Sequence, residues 1–198
     1  GQWLGSWTPW YGYSLLPASA SFRLPAGAHI GAEIHYRGAK EAVVDQGKLG
    51  LFFADRPTGN SVSDLVLEAK GNVPAGATSH VEWTRCTMNA DVDVLFLSSH
   101  THRLAERTVI RPFDGSATGD VMYSNTDWHA PPLEDLTSAP IHVPAGSGFE
   151  FECHYANPGT TEVHWGFTAA DEMCQIALVY SPGDTTRPTA PCRWASTW

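Results

Sequence analysis

His100-Thr101-His102 closes an apolar run in which Val92, Val94 and Phe96 recur at every second position. Successive side chains of a strand point to opposite faces, so continuing the alternation places Ser98, His100 and His102 on the face set by those apolar residues. Two imidazoles two residues apart on a strand project side by side and can grip one metal ion; histidines so placed also simply cap strands. Met173 follows His102 by 71 residues, within Ala169-Ala170-Asp171-Glu172-Met173-Cys174. Methionine is ordinarily a core filler. A thioether joined to two imidazoles, however, makes a soft donor set that favours copper, Cu(I) in particular, over zinc or magnesium. A His100, His102 and Met173 set would hold copper with a coordination position left open.

Such side chains need a rigid scaffold, and the chain reads as strands. Period-two alternation dominates, and no sustained helical stripe appears. The expected strands are Ala28–Tyr36, Lys48–Ala54, Ser63–Ala69, Thr78–Met88, Val92–His102, Thr108–Phe113, Asp120–Ser124, Gly148–Tyr155, Glu162–Thr168 and Cys174–Tyr180. Turn clusters such as Arg56-Pro57-Thr58-Gly59-Asn60, Asp114-Gly115-Ser116 and Asn157-Pro158-Gly159 separate them. High glycine and proline (18 and 14) and low charge (17%) agree with many short strands and tight turns, hence an all-β sandwich.

An internal repeat adds detail. Leu24-Pro25-Ala26-Gly27, Val73-Pro74-Ala75-Gly76 and Val143-Pro144-Ala145-Gly146 each precede an expected strand, with Glu33, Glu82 and Glu152 at one common distance from the proline. The first and third copies match further, Glu33-Ile34-His35-Tyr36 against Glu152-Cys153-His154-Tyr155, at an offset of 119 residues. The repeat suggests two related sandwiches, or one and part of another, with the boundary in the polar stretch from Ala54 to Ser63. Residues 1–57 are then expected to be the tail of an amino-terminal sandwich, and 58–198 a complete one.

Composition excludes several function classes. Twelve Lys and Arg against 21 Asp and Glu give a net charge of −9 with no basic run, which would repel a phosphate backbone, so nucleic acid is not an expected partner. No apolar stretch approaches the roughly 18 residues of a membrane span. The chain opens at Gly1 without an initiator Met or a signal core, so it is expected to be a processed form or a fragment. Cys86, Cys153, Cys174 and Cys192 are spaced by 67, 21 and 18 residues. That even, spread set reads as two disulfides in a secreted or periplasmic protein, the alternative being four buried free thiols in a cytosolic one.

The Glu-Met-Cys element, the His-Thr-His strand end, the His35-Tyr36 strand end and the cysteine order together resemble the type II, ascorbate-dependent copper monooxygenases, the family of peptidylglycine alpha-hydroxylating monooxygenase and dopamine beta-monooxygenase. The resemblance runs from about Trp7 to Cys192. It implies antiparallel, jelly-roll-like β-sandwiches, each carrying one copper across a solvent-filled cleft. By resemblance His100, His102 and Met173 are the ligands of the copper that meets dioxygen and a small-molecule substrate, with ascorbate as reductant. His35 resembles one histidine of a second, electron-storing copper, whose other two histidines would come from an upstream segment or a partner chain. The pairing it implies is Cys153 with Cys174 and Cys86 with Cys192. Where the peptide enzyme reads a substrate carboxylate with Arg and Tyr, this chain has Ser98 and Ala177, so a glycine-extended peptide is not the expected substrate.

Other residues carry weaker signals. His154, the repeat partner of His35, is expected on the face of its strand opposite Phe149, Phe151, Cys153 and Tyr155, either as an accessory ligand or as a plain surface histidine. His129 lies in the loop Asn125-Thr126-Asp127-Trp128-His129-Ala130-Pro131-Pro132, where binding residues concentrate. Trp3, Trp7, Trp10, Tyr11 and Tyr13 suit a sugar-stacking face, a core or a docking face. The competing functions are a copper monooxygenase domain, a secreted non-catalytic module for adhesion, assembly or copper capture, and a carbohydrate-binding sandwich.

Overall fold

A computed structural model describes residues 4–5, 16–32, 34, 41–183 and 193–197. Its strands are β1 (Ala20–Phe22), β2 (Asn60–Ala69), β3 (His80–Thr87), β4 (Val92–Thr101), β5 (Ala105–Phe113), β6 (Tyr123–Asn125), β7 (Glu134–Asp135), β8 (Ile141–Val143), β9 (Gly148–Tyr155), β10 (Cys174–Ser181) and β11 (Arg193–Thr197). The described residues contain no helix, and none of them forms a helix long and apolar enough to cross a membrane.

Two sheets result. One has the order β1-β2-β10-β4-β7, with β8 also against β4; the other has the order β11-β3-β9-β5-β6. All pairings are antiparallel except β1 with β2. Alternation explains why they pack face to face. Cys174, Ile176, Leu178 and Tyr180 of β10 are buried, as are Phe149, Phe151, Cys153 and Tyr155 of β9, and these rows join Leu67, Val94, Leu97 and Ile110 in one core. At about 25 cal/mol per Å² of apolar surface, such a shared core supplies the main drive for the sandwich. A smaller cluster lies on the outer face of the first sheet, where Ala20 and Phe22 of β1 join Val62, Leu95, Phe96 and Val179.

The Pro-Ala-Gly repeat has a local cause. Gly27, Gly76 and Gly146 all take positive φ (77°, 68° and 86°), a conformation open to glycine and costly for other residues. The matched glutamates do not share an environment: Glu82 is buried, whereas Glu152 sits on an outer face beside Arg111.

Three strand expectations need correction. Lys48–Ala54 is not a strand: residues 41–57 are exposed throughout and join no strand ladder among the described residues, and a strand needs a neighbour for its backbone groups. Residues 28–32 and 34 are likewise outside any strand, while Glu33, His35 and Tyr36 lie outside the described residues. In place of Glu162–Thr168 there are only the isolated bridges Val73 to Val163 and Trp165 to Glu172.

A fourth correction bears on the site. Opposite β10, Val179 faces Phe96 while Tyr180 faces Val94, so Leu95 is an extra residue on β4. Such a bulge inverts the alternation beyond it. Val92 and Val94 therefore face the core together with Leu97, whereas Phe96 joins the outer cluster. Ser98 and His100 share the outer face of Phe96 and not, as the unbroken alternation predicts, the face of Val92 and Val94.

The Cys153–Cys174 disulfide links β9 to β10, and so one sheet to the other. Cys86 is also disulfide-bonded; Cys192 lies outside the described residues.

Candidate metal centre

The bulge sets the direction of the β4 end. Thr101 is buried against the core, which leaves His100 exposed on the outer face and His102 half-buried just past the strand. The two imidazole rings lie 5.2 Å apart, centre to centre, nearly perpendicular. Across the ladder, Gln175 faces His100 and Cys174 faces Thr101. One step further along this antiparallel register, Met173 comes level with His102.

Two bonds hold His102, and a third holds Leu104 just beyond it. The His102 Nδ1 lies 2.8 Å from the Asp171 carbonyl oxygen, which can only accept; Nδ1 therefore carries the hydrogen, and the Nε2 lone pair of the neutral ring is left for a ligand. Its backbone N–H donates to Glu172 Oε2 at 3.0 Å, and the Leu104 N–H donates to Glu172 Oε1 at 2.6 Å. Glu172 is thus a buried clamp on the turn after β4. Burial pushes its carboxyl up, opposed by the N–H donors of Leu104 and His102. The loop leading to it is tied at Asp171, whose Oδ2 accepts from the Thr168 N–H and Oγ1 at 3.0 and 2.8 Å, holding the carboxyl below its ordinary value.

Met173 is buried, and two ties hold its carboxyl side. Cys174 carries the disulfide, and the Tyr155 hydroxyl donates to the Met173 carbonyl at 2.8 Å. Burial, with the charges of Glu172 and Glu82 nearby, holds the Tyr155 phenol well above its ordinary value, so it remains a donor. Beside Met173 is a cavity of about 10 Å³ lined by Gly71, Glu82, Tyr155, Trp165 and Glu172, the scale of a single water. The Trp165 indole N–H is buried with no hydrogen-bond partner among the described residues.

The remaining candidates are dispersed. His35, Trp3, Trp7, Trp10, Tyr11 and Tyr13 lie outside the described residues. His154 is on the outer face of the second sheet, its Nε2 3.2 Å from Glu152 Oε1, away from His100 and His102. His129 is exposed beside Trp128, ring centres 5.5 Å apart. Ser98 and Ala177 are direct register partners on the outer face, next to the His100–Gln175 pair. Ser98 is buried there, its hydroxyl donating to the Pro132 carbonyl at 2.9 Å. No group of three or more His, Cys, Asp or Glu side chains converges among the described residues. The candidate set consists of two imidazoles and a thioether.

Sequence reasoning missed Glu172, Tyr155 and a buried His80–Glu82 pair. Glu172 was visible only as part of Glu-Met-Cys. His80 and Glu82 alternate with Val81 and Trp83, a pattern that points the apolar residues inward, whereas the structure buries the polar ones. No protein-family model matches the chain, and no curated protein sequence matches it. Fold and geometry therefore define the class: an all-β, two-sheet protein with a paired-histidine strand end clamped beside a buried methionine.

Proposed function

We propose that this chain is a copper-dependent monooxygenase domain in a jelly-roll-like sandwich, working outside the cytoplasm on a small aliphatic substrate. The observation that carries the reading is the Nδ1 bond of His102 to the Asp171 carbonyl, which presents Nε2 as a ligand from a ring fixed by the segment that bears Met173. The donor set fits: two imidazoles and a thioether suit copper better than zinc or magnesium. Copper bound there supplies the redox chemistry by which dioxygen, two electrons from ascorbate or a similar one-electron donor and two protons convert an aliphatic C–H into C–OH and water.

The chain's own residues set orientation and access. The Glu172 clamp holds the turn of His102 and Leu104, and the Cys153–Cys174 disulfide holds the residue after Met173. On the outer face beside His100, the Ser98–Ala177 row offers no cation, which supports a substrate without a carboxylate. His35 supports a second copper by resemblance. The disulfide supports a secreted or periplasmic setting.

Oxygen uptake with ascorbate, measured for copper-loaded protein against a panel of small aliphatic substrates, tests the proposal. Uptake coupled to alcohol formation, nearly abolished in Met173→Ile, is expected. Copper-loaded protein that hydroxylates nothing with any member, including in a form carrying an upstream histidine pair, would overturn it in favour of a non-catalytic module.

A further inference from the structure

The inward row of β3 carries His80, Glu82 and Thr84 where a sandwich normally places apolar side chains. Burying an imidazole and a carboxylate is costly unless each finds a partner. They find each other: His80 Nε2 and Glu82 Oε1 are 2.6 Å apart. The Glu82 carboxylate also lies against Gly71, where an added Cβ would come 2.0 Å from it, so a larger residue there would have to displace the carboxylate. In register, His80 faces Tyr155 and Glu82 faces Cys153 on β9. The polar pair therefore stands beside the two β9 residues that reach the other sheet, Cys153 through its disulfide and Tyr155 through its hydroxyl.

The candidate ligands gather at one end of the first sheet, with Met173 just before β10 and level with His102, while the ties on Met173 come from the other layer. His100 and His102 belong to the end of β4, in the first sheet. Met173 is tied to the second sheet by Tyr155, and Cys174 after it by the disulfide. A disulfide at Cys174 fixes that Cα, but the peptide plane of Met173, and with it the direction of its side chain, can still turn. The Tyr155 hydroxyl grips the carbonyl of that plane. We propose that Tyr155 is a positioning residue for Met173, orienting the thioether toward the histidine pair, with the buried His80–Glu82 pair as its backing. Its consequence for copper rests on the function proposed above; the positioning itself is readable without metal.

The experiment uses the full chain labelled with ¹³C-methyl methionine, which gives one methyl resonance for each of Met88, Met122 and Met173. In the metal-free protein Tyr155→Phe is expected to shift and broaden the Met173 resonance while leaving buried Met88 unchanged. Glu82→Gln, which weakens the backing but keeps the hydroxyl, is expected to move the same resonance less, and it serves as the second variant should Tyr155→Phe not fold. On loading with Cu(I), Tyr155→Phe is expected to lose about tenfold or more in affinity, the scale of a lost outer-shell contact, with a weaker copper–sulfur signal in X-ray absorption. Ile110→Val, a core change elsewhere, should alter neither. An unmoved Met173 resonance and unchanged affinity in both variants overturn the inference, as does an equal effect in Ile110→Val. A moved resonance in a protein whose Cu(I) binding ignores Met173 supports the positioning and refutes the copper reading.

Discussion

Asp64 lies on the outer row of β2, in register with Val179, a member of the outer apolar cluster. Burial raises its carboxyl from 3.8 to about 7, opposed only by a backbone bond from Leu65. Below 3.8 the acid is protonated in both the folded and the unfolded chain; between 3.8 and about 7 the unfolded chain ionises first, so this group's stabilisation is lost as pH rises through that window. Asp64→Asn should therefore flatten the fall in melting temperature between pH 5 and 8 and gain on the order of 2 kcal/mol at the upper end. Parallel melting curves for the two proteins would contradict this. At the same scale, His100, His102 and Met173 were legible because ligand chemistry leaves a mark in residue type and spacing. Glu172 and Tyr155 were not, because a bond from a side chain to a distant backbone group has no sequence period.

The elements decide where those side chains point. β9 and β10 read cleanly because the inward row of each is apolar without interruption, with polar residues outward on β9. β4 did not, because the extra residue at Leu95 sits in a continuous apolar run, Val94-Leu95-Phe96-Leu97, in which no polar position betrays the change of phase. β3 was legible as a strand but not in its facing, since an inward ionisable pair overrides the hydrophobic pattern. The link between the sheets is the clearest test at this level. Cys153 and Cys174 are 21 residues apart, and opening a bond over such a loop typically costs about 3 kcal/mol through the freedom returned to the unfolded chain. Cys174→Ser should lower the melting temperature accordingly and also weaken Cu(I) binding, because Met173 is the next residue. Destabilisation with unchanged Cu(I) affinity would separate the staple from the site.

For the whole molecule, the described strands form one sandwich whose two sheets each bring part of the candidate site to one end: the β4 terminus from one, and Cys153 and Tyr155 of β9 from the other. The segment 41–57 stands apart, with Val44 92% and Phe52 fully exposed. Its alternating Leu49, Leu51 and Phe53 look like a strand in sequence, but a sequence pattern cannot supply the neighbouring strand that would pair with it. The proposed function depends most on His100 and His102 holding copper together with Met173. Copper stoichiometry measures it most directly, on protein loaded and then dialysed, beside the His100→Ala/His102→Ala double variant. The folded variant is expected to lose one tightly bound equivalent relative to the parent. An unchanged copper content in a correctly folded double variant would contradict it.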